Sequence, residues 1–113
     1  MSIVTKQSFE PEVRNTNGLL GYPVVLECSV PTHLREHVSI STWIKDKSFL
    51  ISKSSSSKYY ITPEGQLIIW DLSAGDAYST YQCQTLNLLT GEAALSSAGN
   101  ILLRGKLVAL QLQ

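Results

Sequence analysis

With 113 residues the chain has length for one domain and one hydrophobic core, buildable without metal or several staples. Nine basic side chains balance nine acidic ones, which removes the electrostatic footprint of a nucleic-acid or anionic-membrane binder and leaves recognition to shape and apolar contact. No run approaches the ~18 to 20 apolar residues of a membrane span, and no charged-then-apolar leader precedes Ile3; an ectodomain fragment with Met1 supplied for expression is expected.

In chain order, residues 1 to 22 hold short apolar patches (Ile3, Val4, Phe9), then Pro11 and a turn cluster from Asn15 to Gly21. This suits an edge strand that breaks and switches sheets, because proline is tolerated only where no ladder donor is needed. From Pro23 the alternation is clean, with Val24, Leu26 and Cys28 on the inner face and Val25, Glu27 and Ser29 on the outer. A polar loop from Pro31 to His37 leads into a strand over Ser39 to Lys45, and Phe49 to Ile51 forms a short strand before the serine run Ser54 to Ser57. Lys58 to Thr62 is the next strand, with Tyr59 and Ile61 on one face and Lys58, Tyr60 and Thr62 on the other. Pro63-Glu-Gly65 turns the chain into Gln66 to Leu72, where Leu67, Ile69 and Leu72 point inward and Ile68 and Trp70 outward. A strand from about Tyr78 to Leu86 and a return strand from about Ala94 to Arg104 meet at the turn Thr90-Gly91. Ala98-Gly99 inside the return strand suggests a bulge.

The two cysteines are too few for a zinc site and sit in strand contexts, which suggests one bridge and an oxidising compartment; two free buried thiols are the alternative. Trp43 follows Cys28 by 15 residues, Cys83 follows it by 55, and Tyr81 stands two residues before Cys83. Cysteine, tryptophan, then tyrosine-x-cysteine, in that order, resembles the immunoglobulin pattern. It implies a bridge from Cys28 on strand B to Cys83 on strand F, Trp43 on strand C packed against it, and a Tyr81 hydroxyl bonded to upstream backbone. The expected fold is all-β: an immunoglobulin-like Greek-key sandwich over 1–105 with one inter-sheet disulfide. The tail 106–113 is read as a linker, an expression remnant or an added strand.

One catalytic-looking motif occurs. His33-Leu-Arg-Glu-His37 matches H-x-x-E-H, the inverted zinc-protease signature, but that motif needs an α-helix to bring histidines four apart onto one face. Pro31 precedes it and a β-branched strand follows at once, so a solvated loop is expected, with no metal and no cofactor. The serine run has no Gly-x-Ser-x-Gly elbow; no enzyme and no small-molecule substrate are expected.

A narrower resemblance lies in Lys58-Tyr-Tyr-Ile-Thr-Pro-Glu-Gly-Gln-Leu67, in the five-residue spacing of Asp76 and Tyr81, and in Gln84-Thr-Leu-Asn-Leu-Leu-Thr-Gly-Glu92. Over roughly residues 22 to 104 the chain resembles the arthropod Down syndrome cell adhesion molecules (Dscam): the seventh immunoglobulin domain of the insect protein and the first of the shortened chelicerate form. The resemblance implies an extracellular, isoform-variable domain of a membrane-anchored protein, which binds an identical copy on an apposing cell, antiparallel, through the sheet of strands A, B, E and D.

The residues point to the same sheet. Val25, Tyr60, Ile68 and Trp70 share its outer face, with Glu27 and Lys58 at the edge, and exposed apolar clusters rimmed by polar groups mark interaction sites. A different class of function, an immune-type receptor binding a heterologous or foreign ligand, would use the loops, particularly His33 to His37 and Ser52 to Ser57.

Overall fold

The computed structural model describes residues 10–52 and 57–104. The tail 106–113 and most of the serine run lie outside the described residues. The expected edge strand is split between sheets. Its first half, β1 (Glu12–Val13), pairs antiparallel with β4 (Cys28–Ser29), and its second, β2 (Thr16–Gly18), runs parallel to β11 (Gly99–Leu103).

Two sheets face each other across the core. In the smaller, β3 (Val24–Leu26), β8 (Leu67–Ile69) and β7 (Tyr59–Ile61) lie in that order, with β1 and β4 continuing it through strand B. In the larger the order is β2, β11, β9 (Thr80–Asn87), β5 (Val38–Lys45) and β6 (Phe49–Ser52), and β10 (Ala93–Leu95) also pairs with β9. Strand letters map as β1 and β2 to A, β3 and β4 to B, β5 to C, β6 to C′, β7 to D, β8 to E, β9 to F, and β10 and β11 to G.

The alternation read from the sequence is the alternation of burial. Leu26, Trp43, Ile51, Leu67, Ile69, Tyr81 and Cys83 are wholly enclosed, with Val13, Val24, Leu72 and Ile101 beside them. Cys28 and Cys83 are bonded, with Cα atoms 5.9 Å apart. Trp43 is the direct cross-strand partner of Cys83, in the same core cluster. The Trp43 indole N–H donates to the Gly65 carbonyl at 2.9 Å, so the turn between β7 and β8 closes over the ring. Gly65 is required there twice over: its φ is +93°, and a Cβ would stand 2.7 Å from the Ile40 Cβ.

Two bulges shape the larger sheet. Ile40 faces Thr85 while Thr42 faces Gln84, so Ser41 is an extra residue on β5. On strand G, four steps from Leu95 to Gly99 oppose three on β9 from Gln84 to Tyr81, which is the interruption anticipated at Ala98-Gly99. Ser96 bridges the break: its N–H donates to the Cys83 carbonyl and its hydroxyl accepts from the Cys83 N–H.

Two expectations need correction. Thr32–His37 is a 3-10 helix, not a plain loop. With three residues per turn, positions three apart stack and positions four apart diverge. Leu34 therefore packs on the core and half-buried His37 shares its side, while His33 is exposed. Thr62 does not continue the outer face of β7. The chain turns after Ile61, and the buried Thr62 hydroxyl accepts the Gln66 N–H at 2.9 Å.

The disulfide joins residues 55 apart in sequence, a closure that stabilises by about 4 kcal/mol in the chain-entropy model. Replacing Cys28 and Cys83 together by alanine is expected to lower the unfolding free energy by that order, measured by urea denaturation. Unchanged stability would show that the core alone holds the sheets.

Candidate functional site

The outer face of the smaller sheet is built by register. Val25 stands opposite Ile68, and Ile68 opposite Tyr60, so the three form one row across β3, β8 and β7. Val25 and Tyr60 are 41% and 45% exposed, while Ile68 between them is half-buried. Trp70 lies two residues beyond Ile68 on the same side, 47% exposed. Its N–H donates to the Lys58 carbonyl, which extends the ladder past the end of β8.

The polar edge is less symmetric than the sequence suggests. Glu27 closes one end of the row, its carboxylate accepting from the Gln66 side-chain amide at 3.1 Å. Beyond it opens a cleft of about 460 Å³, lined in part by Arg14, Arg35, Glu27 and Glu64. At the other end the Lys58 ammonium does not rim the apolar row. It is drawn to the Asp76 carboxylate at 2.8 Å and donates to the Asp71 carbonyl at 3.0 Å.

Asp76 entered the sequence reading only through its spacing to Tyr81; its place as a buried anion was not read there. It lies in a single turn of helix, α1 (Ala74–Ala77), with a capping box: the Ser73 hydroxyl accepts from the Asp76 N–H and the Asp76 carboxylate accepts from the Ser73 N–H. The signal was present as Ser73-x-x-Asp76. This turn accommodates the five-residue spacing to Tyr81, whose hydroxyl donates to the Asp76 carbonyl at 2.8 Å. The carboxylate is 3% exposed and binds Lys45 of β5 at 2.8 Å as well as Lys58, so one anion joins both sheets.

Protonation follows from that geometry. Burial pushes the Asp76 pKa up, but hydrogen bonds from Lys45, Lys58 and Ser73 outweigh it and hold the carboxyl well below its ordinary 3.8. Burial likewise depresses Lys45, and the bonds to Asp76 and Tyr59 outweigh it, for a net rise. Burial, then the Asp76 charge, push the Tyr81 phenol up.

In the 3-10 helix the two histidines of H-x-x-E-H, four apart, lie on different sides, and among the described residues no group of three or more potential ligands gathers to hold a metal. The structure thus brings Val25, Ile68, Tyr60 and Trp70 together, keeps Glu27 at the rim, and turns the Lys58 charge away.

No family model matches the chain. Among curated proteins, the cell adhesion molecule Dscam1 of Drosophila melanogaster is 30% identical over 107 residues, 93% of this chain and 5% of that protein. The cell adhesion molecule DSCAML1 of Mus musculus is 30% identical over 98 residues, 87% of this chain and again 5% of the relative. The chain therefore spans about 5% of the curated relatives it matches. A crystal structure of the N-terminal four Ig domains of Dscam1 isoform 7.44 superposes with a TM-score of 0.79 at 33% identity, over 87% of this chain and 26% of that one. A structure described as the basis for Dscam isoform specificity gives 0.79 at 29% identity, with 87% and 26% covered.

A carboxyl whose pKa is lowered on folding contributes stability that is full above its unfolded value of 3.8 and is lost as pH falls below it. The thermal midpoint of the domain is expected to fall as pH drops from 5 to about 2, and Asp76→Asn to flatten much of that fall. At neutral pH the same substitution should cost about 2 to 3 kcal/mol. That is less than a fully buried pair, because the Lys58 and Lys45 side chains are 35% and 18% exposed and so keep part of their hydration. An unchanged pH profile in the variant would show that Asp76 is not the responsible group.

Proposed function

We propose that this immunoglobulin domain, a relative of the Dscam cell adhesion molecules, is an extracellular recognition module of a membrane-anchored adhesion protein. It binds an identical copy of itself on an apposing cell, antiparallel, through the outer face of strands A, B, E and D. The observation that carries the reading is the register row Val25, Ile68 and Tyr60 with Trp70 beside it. This places four apolar or aromatic groups on one sheet face, two of them of the kinds that dominate interface hot spots.

A contact across a two-fold axis must be self-complementary, so residues near the axis meet their own copies and charges belong away from it. The face has that arrangement. Ile68 is central, Glu27 is tied to Gln66 at the margin, and Lys58 is held by Asp76. Varying any of the four apolar side chains alters both halves of the contact, so mismatch between isoforms is penalised twice and specificity follows. A position equivalent to the seventh domain of insect Dscam is part of this proposal.

Replacing Trp70 with glutamate is expected to weaken self-association through this face by about 30-fold or more. Loss of an aromatic anchor costs about 2 kcal/mol, and two carboxylates then face each other across the axis. The fold should persist, because Trp70 lies outside the core cluster. Cell-aggregation assays with the domain displayed on two cell populations read the effect, with Glu36→Lys in the 3-10 helix as control. Loss of aggregation with Glu36→Lys and not with Trp70→Glu would overturn the reading in favour of a loop-borne receptor site.

A further inference from the structure

The opposite outer face, that of the larger sheet, has its own pattern. Inward positions on β5, β6 and β9 are taken by Ile40, Trp43, Ile51, Tyr81, Cys83 and Thr85. By register the outward side is then a grid in which Leu50, Ile44 and Gln82 form one row, Gln84 and Leu95 stand in the next, and Leu86 follows. Leu50, Leu86 and Leu95 are 61%, 43% and 50% exposed. Although eighteen of the 113 residues are charged, every described outward position of β5, β6, β9 and β10 is apolar, hydroxyl or amide. Asp46, Lys47 and Glu92 stand in the turns at either end of these strands, and on the β11 part of strand G the exposed Arg104 follows Asn100 and Leu102 at the far margin.

We infer that this face, built on strands C, C′, F and G, is a second self-association surface whose occupant is the same face of another copy. Charge selects the occupant. A charged partner surface would be desolvated here without compensation, whereas an uncharged one would not. Glutamine side chains both donate and accept, so Gln82 and Gln84 can pair with their own two-fold mates, as a like-charged pair cannot. The Gln82 amide N–H already donates to the Ser96 carbonyl at 2.9 Å, which leaves its oxygen as the acceptor.

Size suits a weak contact. Strands β5 and β9 have eight residues each, β6 four and β10 three, and at about 3.3 Å per residue and about 4.8 Å between strands they cover on the order of 360 Å² in projection. That is below the about 600 to 1,000 Å² per partner of a stable dimer and in the range of transient association. Because the two faces lie on opposite sides of the sandwich, a domain using both is joined to two neighbours by two different two-fold contacts. Such contacts alternate along an open row and do not close into a single pair.

The inference is separable from the function proposed above by analytical ultracentrifugation of the whole chain and three variants: Trp70→Glu, Leu86→Lys and the double substitution. Species larger than dimers are expected for the unsubstituted chain as concentration rises. Each single variant should stop at a dimer, and the double variant should stay monomeric. Leu95→Lys serves as a second probe of the same face, and circular dichroism selects the variant that retains the fold. If Trp70→Glu is monomeric while the unsubstituted chain and the folded lysine variant remain dimers, this inference fails and the first contact stands. If the lysine variant is monomeric and Trp70→Glu remains a dimer, the present face stands and the A-B-E-D face fails. An unsubstituted chain that stays monomeric throughout overturns both.

Discussion

The anion at Asp76 is the constraint on which the rest of the domain depends. A carboxylate with 3% exposure is tolerable only when opposite charge and hydrogen bonds surround it. Lys45 comes to it from the larger sheet, Lys58 from the start of the smaller sheet's edge strand, and Ser73 from the turn that carries it. The same residue's carbonyl takes the Tyr81 hydroxyl. One corner thus ties β5, β7 and β9 together, while the disulfide ties the sheets nearer the middle.

That corner also sets the surface. Lys58 is anchored through its ammonium at Asp76, and its carbonyl accepts the N–H of Trp70. The ion pair thus stands where β7 begins beside β8, in the register that sets Tyr60 opposite Ile68 with Trp70 beyond them. A feature of stability and a feature of the proposed recognition face share one residue, with the side chain in the first and the main chain in the second.

Charge is distributed in keeping with this. The buried carboxylate and its lysines occupy one end of the sandwich, the mixed cleft of Arg14, Arg35, Glu27 and Glu64 borders the smaller sheet, and both broad outer faces carry apolar or amide groups near their centres. An overall neutral domain with apolar centres and polar margins suits contact with an equal, since like meets like at the axis without repulsion.

Much of this was legible in residue order. Alternation placed Val24, Leu26, Leu67 and Ile69 inside and Val25, Tyr60, Ile68 and Trp70 outside, because side chains along a strand change face at every step. The spacing of Cys28, Trp43, Tyr81 and Cys83 carried the sandwich, because one geometry brings those four together. Other features depended on distant chain segments. Thr62 left the outer face because its hydroxyl met the Gln66 N–H in a turn, and the 3-10 form of Thr32–His37 came with Leu34 packing on the core. Lys58 was read as a surface charge because no local pattern shows a buried anion provided by a residue 18 positions later. Periodicity is local and survives in sequence; the pairing of charges, the bulge at Ser41 and the uncharged grid of the larger sheet are made by register between strands, which exists only once the strands have met.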